Sequence, residues 1–241
     1  MKNSLKFLTA AGLLLLGSLT AYNAALSSEY RLGAYKNPLH NYTLLPQRDF
    51  STVHLPAAGM MQVRVEAGPF GVYVNKRAAD YVRVSQQGAQ LTVALNFPKE
   101  KEYLGPGDAV LIRCPRLTDL TAGSTYTLAG RTIRPRRLTY SSTTTLQGFA
   151  QDSLRLVQDD AAQVALAHNR LGNLQAVVGQ NPGSTAQLEV NPTNVLRSAS
   201  IRVDKQGRFV GENVALPAVR WQLGDSARVE LSGAALKGVV R

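Results

Sequence analysis

From about residue 50 onward the chain alternates apolar and polar positions in short runs. Met61, Val63 and Val65 flank Gln62 and Arg64, Val82 and Val84 flank Arg83, and Leu91, Val93, Leu95 and Phe97 alternate with Thr92, Ala94 and Asn96. A period of two places such residues on opposite faces of a strand, so each run predicts a half-buried β-strand. Gly68-Pro69 and Gln87-Gly88 separate the runs as turns. Pro98 to Asp108 carries Lys99, Glu100, Lys101 and Glu102 beside Gly105-Pro106-Gly107, which predicts a solvated hairpin tip.

After Pro115 the apolar pairs come faster: Leu117/Leu120, Tyr126/Leu128, Leu138/Tyr140, Leu154/Leu156, Val164/Leu166, Leu171/Leu174, Leu188/Val190, Ile201/Val203, Trp221/Leu223 and Val229/Leu231. A strand therefore recurs roughly every ten residues, and two or three strands per turn make coils of about 20 to 30 residues, a solenoid period. About five coils fit after Pro115. An inward Leu or Val gains about 1.5 to 3 kcal/mol only when fully covered, and one thin coil cannot cover itself. The predicted fold is all-β: introductory antiparallel strands leading into a right-handed β-solenoid (β-helix), with one hydrophobic helix ahead of it. Within this pattern Ser141-Ser142-Thr143-Thr144-Thr145 reads as a polar, outward-facing rung.

The helix is the stretch after Lys2 and Lys6, where no charge occurs from Phe7 to Ser28. A basic start followed by an apolar run is the pattern of an export signal, and this run is also long enough to span a bilayer. Ala25-Leu26-Ser27 offers a small-x-small cleavage site; uncleaved, residues 7–26 anchor the chain with the basic end in the cytoplasm. The organisation expected is a signal or anchor over 1–26, a spacer over 27–49 and a folded domain over 50–241.

Charge sharpens the picture. Residues 27–241 hold 25 basic against 16 acidic side chains, a surplus of +9. For a chain carried across a membrane, the anionic partners to consider are lipid head groups, acidic glycans and envelope polymers rather than nucleic acid. The single cysteine, Cys114, excludes an intramolecular disulfide and a thiolate metal cluster. It shares a strand face with Val110 and Ile112 and is expected to pack inward.

Catalytic patterns are missing from the chain. His40, His54 and His168 lie outside metal-ligand spacing, and no nucleophile elbow, phosphate-binding loop or dinucleotide fingerprint occurs, so no cofactor is predicted. Asp152, Asp159, Asp160 and Glu189 are the conceivable carboxylates of a glycan-cleaving solenoid. The densest basic feature is Arg131, Arg134, Arg136 and Arg137 around Pro135. It reads either as a solvated turn or as a grip for an anionic glycan, because the guanidinium fork matches carboxylates and phosphates. Trp221 alternates with Val219 and Leu223, which favours the core.

In order, Phe50-Ser51-Thr52-Val53-His54-Leu55, Met61 to Gly68, Tyr81-Val82-Arg83-Val84, Gln90-Leu91-Thr92-Val93 and Val110 to Leu117, together with the Ala122-Gly123-Ser124 and Ser232-Gly233-Ala234 corners, resemble the auto-transporter adhesin family with a head GIN domain. The similarity covers about residues 48–241. It implies a β-solenoid envelope protein of Bacteroidetes-like bacteria without an established catalytic site. The function expected is non-enzymatic surface display, adhesion or envelope binding; the competing expectation is a carbohydrate-active enzyme or an acidic-glycan-binding module on the same fold.

Overall fold

The computed structural model describes residues 2–33, 36–99, 104–137 and 142–238. The chain divides into two compact units, Met1–Tyr42 and Thr43–Arg241. The first unit holds helix α1 (Lys2–Leu32). Its stretch Leu5–Arg31 is long and apolar enough to cross a membrane, and Leu5, Phe7, Leu8 and Leu13 to Leu16 all stand exposed on it. The hydroxyls of Thr9, Ser18 and Thr20 fold back onto carbonyls three or four residues earlier, so that these three are satisfied within the helix.

The second unit is built of strands. The first group is β1 (Tyr42–Leu45), β2 (Thr52–Leu55), β3 (Val63–Ala67), β4 (Gly71–Asn75), β5 (Val82–Gln87), β6 (Gln90–Phe97), β7 (Val110–Cys114), β8 (Asp119–Ala122), β9 (Tyr126–Leu128) and β10 (Arg131–Ile133). The second group is β11 (Thr143–Gln147), β12 (Ala150–Gln158), β13 (Gln163–Ala167), β14 (Arg170–Val178), β15 (Gln187–Val190), β16 (Val195–Val203), β17 (Arg208–Glu212), β18 (Val219–Leu223) and β19 (Arg228–Ser232). Among the described residues they form two sheets, β1-β4-β7-β3-β11-β13-β15-β17-β19 and β10-β9-β6-β2-β8-β12-β14-β16-β18, with β5 also paired to β6.

The two groups differ in pairing. Expected to be antiparallel, the first group is mixed. β4 pairs β7, β5 pairs β6 and β10 pairs β9 antiparallel. In contrast β3 pairs β7 and β2 pairs both β6 and β8 in parallel. Short turns make hairpins of β5 with β6 and of β9 with β10, the antiparallel pair of β4 with β7 joins strands distant in the chain, and parallel neighbours need a crossover. From β11 onward every ladder is parallel, and consecutive strands fall in alternate sheets. Leu154 lies opposite Leu174, 20 residues later, and Leu171 opposite Leu196, 25 residues later.

Such pairing aligns distant apolar residues. In the second sheet Leu91, Val53, Leu120, Leu156, Ala176, Ile201 and Trp221 stand in one column. All but Trp221 are buried, and Trp221 packs against the cluster with its ring 5.1 Å from that of Phe209 at 80°. In the first sheet Val110, Val63, Thr144, Val164, Leu188, Phe209 and Val229 form the corresponding column. Apart from Thr144, both columns belong to or pack against one apolar cluster, which includes Cys114 as expected.

The polar rung departs from expectation. Ser141 lies outside the described residues, but Thr143, Thr144 and Thr145 form the start of β11, and Thr144 is fully buried between Val63 and Val164. Its hydroxyl has no hydrogen-bond partner. A strand inserted into a parallel ladder must send alternate residues inward, and the pairing with β3 and β13 selects Thr144. The expected pair Leu138/Tyr140 and loop residues Glu100, Lys101 and Glu102 also lie outside the described residues.

Corners are held by amides. Asn169 donates from Nδ2 to the Leu146 carbonyl (2.9 Å) and accepts the Phe149 amide at Oδ1 (3.0 Å), while its own amide donates to Asn194 Oδ1 (3.0 Å). Asn194 in turn donates to the Leu166 carbonyl (2.6 Å). These buried side chains satisfy the backbone where it turns from one sheet to the other. On the far side Gly179, at φ +77°, turns where a Cβ would come within 2.7 Å of the Asp204 carbonyl of the next layer.

Candidate binding surfaces

Three places gather the polar chemistry of the strand-built unit: a strap over one corner, and the outer faces of the two sheets. The strap contains the arginines singled out by sequence. Ala129 and Gly130, both at positive φ, make the turn from β9 into β10, which opens with Arg131. Beyond Ile133 the chain crosses the corner at Asp159-Asp160. Arg134 Nε donates to Asp160 Oδ2 at 2.7 Å, and this hydrogen bond pushes the guanidinium pKa further up. The Asp160 carboxylate is only 3% exposed.

The rest of the strap is stitched down by backbone. Ser124 Oγ donates to the Pro135 carbonyl and accepts the Ala161 amide. The Arg136 carbonyl accepts from the Thr185 amide and hydroxyl, and Arg136 Nη1 donates to the Pro182 carbonyl at 3.1 Å. Arg131 and Arg137 also interact within the chain. Asp159 accepts from Asn181 through both carboxylate oxygens. Of the conceivable glycan-cleaving carboxylates, Asp159 and Asp160 thus take up internal donors, Asp152 lies in β12 and Glu189 in β15 of the other sheet. Among the described residues no group of three or more His, Cys, Asp or Glu could hold a metal ion.

On the outer face of the first sheet the charges pair with one another. Arg113 Nε meets Glu66 at 2.5 Å and its guanidinium lies 5.6 Å from the centre of the Tyr73 ring. Gln147 donates to the other Glu66 oxygen. Arg64 pairs with Asp108, and Arg208 pairs with Glu230 while also donating to Gln187. The pairing holds the exposed Glu230 carboxyl below its usual range.

The outer face of the second sheet is different. Arg155 reaches Asp119 only at 3.5 Å between exposed side chains, and Arg202 meets Asp204 at 2.6 Å. Arg170 in β14, Arg197 in β16 and Arg220 in β18 are exposed. Two hollows adjoin on this face. One is lined by Ala150, Asp152, Arg170, Gly172, Val195 and Arg197, the other by Asn173, Ser198, Ser200 and Arg220. His54, further along the sheet, is held below its ordinary pKa by burial. No sequence motif announces these arginines; they lie 23 or more residues apart and come onto one face only through strand register.

The chain matches no protein-family model and no curated protein. Among solved structures it is similar to a "putative adhesin" from Bacteroides fragilis, at 8% identity and a TM-score of 0.41, over 79% of this chain and 96% of that one. A "putative adhesin" from Parabacteroides merdae is similar at 11% identity and a TM-score of 0.36, over 79% and 95%. A "putative lipid binding protein" from Parabacteroides distasonis is similar at 10% identity and a TM-score of 0.34, over 80% and 94%.

Proposed function

We propose that this protein is a membrane-tethered β-solenoid of the cell envelope that works by display or binding rather than by catalysis. The observation that carries this reading is helix α1: its exposed, uncharged span from Phe7 to Ser28 is stable only in an apolar medium, and at 1.5 Å per residue it reaches about 33 Å, enough for a bilayer core. Lys2 and Lys6 at one end retain that end in the cytoplasm and send the strands outward.

The solenoid reading is supported by strict alternation of β11 to β19 between two parallel ladders at intervals of 20 to 25 residues. Each strand, crossover and parallel return in one sheet is right-handed by the general rule for such connections, giving a right-handed β-helix. A binding role is supported by the four carboxylates singled out above: Asp159 and Asp160 take donors from Asn181 and Arg134, and Asp152 and Glu189 are set on separate sheets, rather than facing each other in a cleft.

Protease access tests the reading. In intact cells stripped of outer layers, added protease is expected to digest the strand-built unit and leave a membrane-bound fragment containing α1. Digestion only in inverted vesicles, with the body facing the cytoplasm, overturns it.

A further inference from the structure

We infer that the outer face of the second sheet, centred on the notch at Gly172, binds a carboxylated polysaccharide. The inference rests on the envelope reading above and adds the ligand and the residues.

Arg170, Arg197 and Arg220 sit on successive strands, β14, β16 and β18, one per layer. None of them forms an ion pair among the described residues, although six other arginines of this chain do. Three exposed guanidinium groups on one face are an electrostatic site for a repeating anion. Strands lie about 4.8 Å apart, and the register staggers the three: Arg197 is level with Gly172, two residues beyond Arg170, and Arg220 is level with Ser200, three residues beyond Arg197, so that an extended polymer crossing the sheet obliquely meets one arginine per strand.

The notch has a structural origin. Gly172 floors it, because a Cβ there would sit 2.6 Å from the Asp152 carbonyl of the neighbouring layer. Along the three strands the pairing Gln151 to Leu171 to Leu196 and the pairing Ser153 to Asn173 to Ser198 bracket this position. Ser198 Oγ donates to the Gly172 carbonyl at 3.0 Å and contacts Asn173 Oδ1 at 3.1 Å, which fixes the boundary between the two hollows.

The lining selects among anions. Asp152 is an acceptor that a hydroxyl-rich ligand satisfies and a lipid phosphate does not, and Asn173, Ser198 and Ser200 add neutral hydrogen-bonding groups. The apolar part of the first hollow is Ala150, Val195 and the edge of Leu171; Leu171 is itself buried in the core, so no bulky aromatic or leucine side chain projects from the hollow to insert into a lipid interface. These features fit uronic-acid-type sugars better than a membrane surface.

The test uses the full chain in phosphatidylcholine nanodiscs, with polygalacturonate as probe, neutral dextran as control and phosphatidylglycerol vesicles as competitor. Polygalacturonate is expected to bind, to weaken steeply with salt, and to outrank dextran at least tenfold. The triple variant Arg170→Gln, Arg197→Gln, Arg220→Gln is expected to lose at least tenfold in affinity with an unchanged melting temperature, while Arg208→Gln on the opposite face loses less than twofold. No binding by wild type, an unchanged affinity in the triple variant, equal loss in the Arg208 variant, or full displacement by the vesicles each overturns the inference. If the triple variant melts early, the three single variants replace it, and the same tenfold loss must then be recovered as their product. Protease access reads membrane orientation and this assay reads the face alone, so failure of one is distinguishable from failure of the other.

Discussion

The two sheets share one core, yet their outer faces treat charge in opposite ways. On the first sheet Arg113 and Arg208 each have a carboxylate from a neighbouring strand, Arg64 has that of Asp108 just ahead of β7, and Arg228 lies near Glu230. On the second sheet Arg170, Arg197 and Arg220 form no ion pair among the described residues, and the closest pairing at that end of the sheet, Arg202 with Asp204, is local to one strand end. Parallel strands in register stack like positions, so opposite charges on adjacent strands pair only where the sequence repeats them at the interval between paired strands. Glu230 satisfies this for Arg208; among the described residues no carboxylate does so for Arg197. The first face is thereby a finished surface, and the second retains its field for something outside the chain.

The harshest test of this contrast removes the frame both faces share. Phe209→Ala empties a fully buried site of the first-sheet column, against which Trp221 of the second-sheet column packs, and is expected to cost about 3 to 5 kcal/mol in chemical denaturation. A loss below about 1 kcal/mol would mean that the columns do not bear on one another.

Alkali probes the first sheet from inside. Burial pushes the Cys114 thiol up to about 12 from its ordinary 9.0. Below pH 9 the thiol is protonated in both folded and unfolded chains and has no effect. Above it the unfolded chain loses its proton first, so stability should fall by about 1.4 kcal/mol per pH unit until pH 12. The difference between wild type and Cys114→Ala across that range isolates the slope; parallel curves would refute the burial.

Thr144→Val should move the other way. The hydroxyl is buried without a partner between Val63 and Val164, and removing it from an isosteric side chain should raise stability by about 1 to 2 kcal/mol. A decrease in the denaturation midpoint would show that the hydroxyl is satisfied.

The faces themselves give the smallest and most direct contrast. Glu66→Gln leaves the half-buried Arg113 unpaired and should cost about 1 kcal/mol, less in high salt. Arg197→Gln and Arg220→Gln should change stability by less than about 0.5 kcal/mol, because no partner is lost. Equal effects on both faces in thermal melts at low salt would erase the distinction.

Much of this architecture is written in local pattern. Alternation at Met61 to Val65, Leu91 to Phe97 and Leu154 to Leu156 marks strands, because a period of two can bury only one face. Turn residues such as Asp160 and His168, both at positive φ, mark corners, and the run from Phe7 to Ser28 marks the helix. Cys114 reads as core for the same reason. The mixed pairing of the first group was not legible, since a strand's neighbours depend on crossovers rather than on its own residues.

The candidate surface was hidden more thoroughly. Arg131, Arg134, Arg136 and Arg137 attract notice by crowding into seven residues, but local density does not decide whether a charge is free. Asp160 lies 26 residues from Arg134 and reaches it only when the strap folds over the corner. Thr144 looked like an outward hydroxyl until β3, far earlier in the chain, set its register.

By itself, then, the sequence determined which segments become strands, which of their residues are apolar enough to seek an interior, and which segment becomes a long apolar helix, because these follow from neighbours a few bonds apart. Tertiary structure alone decided which strands lie side by side, which threonine turns inward, and that Arg170, Arg197 and Arg220 share a face, because lateral register joins residues 20 to 25 positions apart through backbone hydrogen bonds to which every side chain is indifferent.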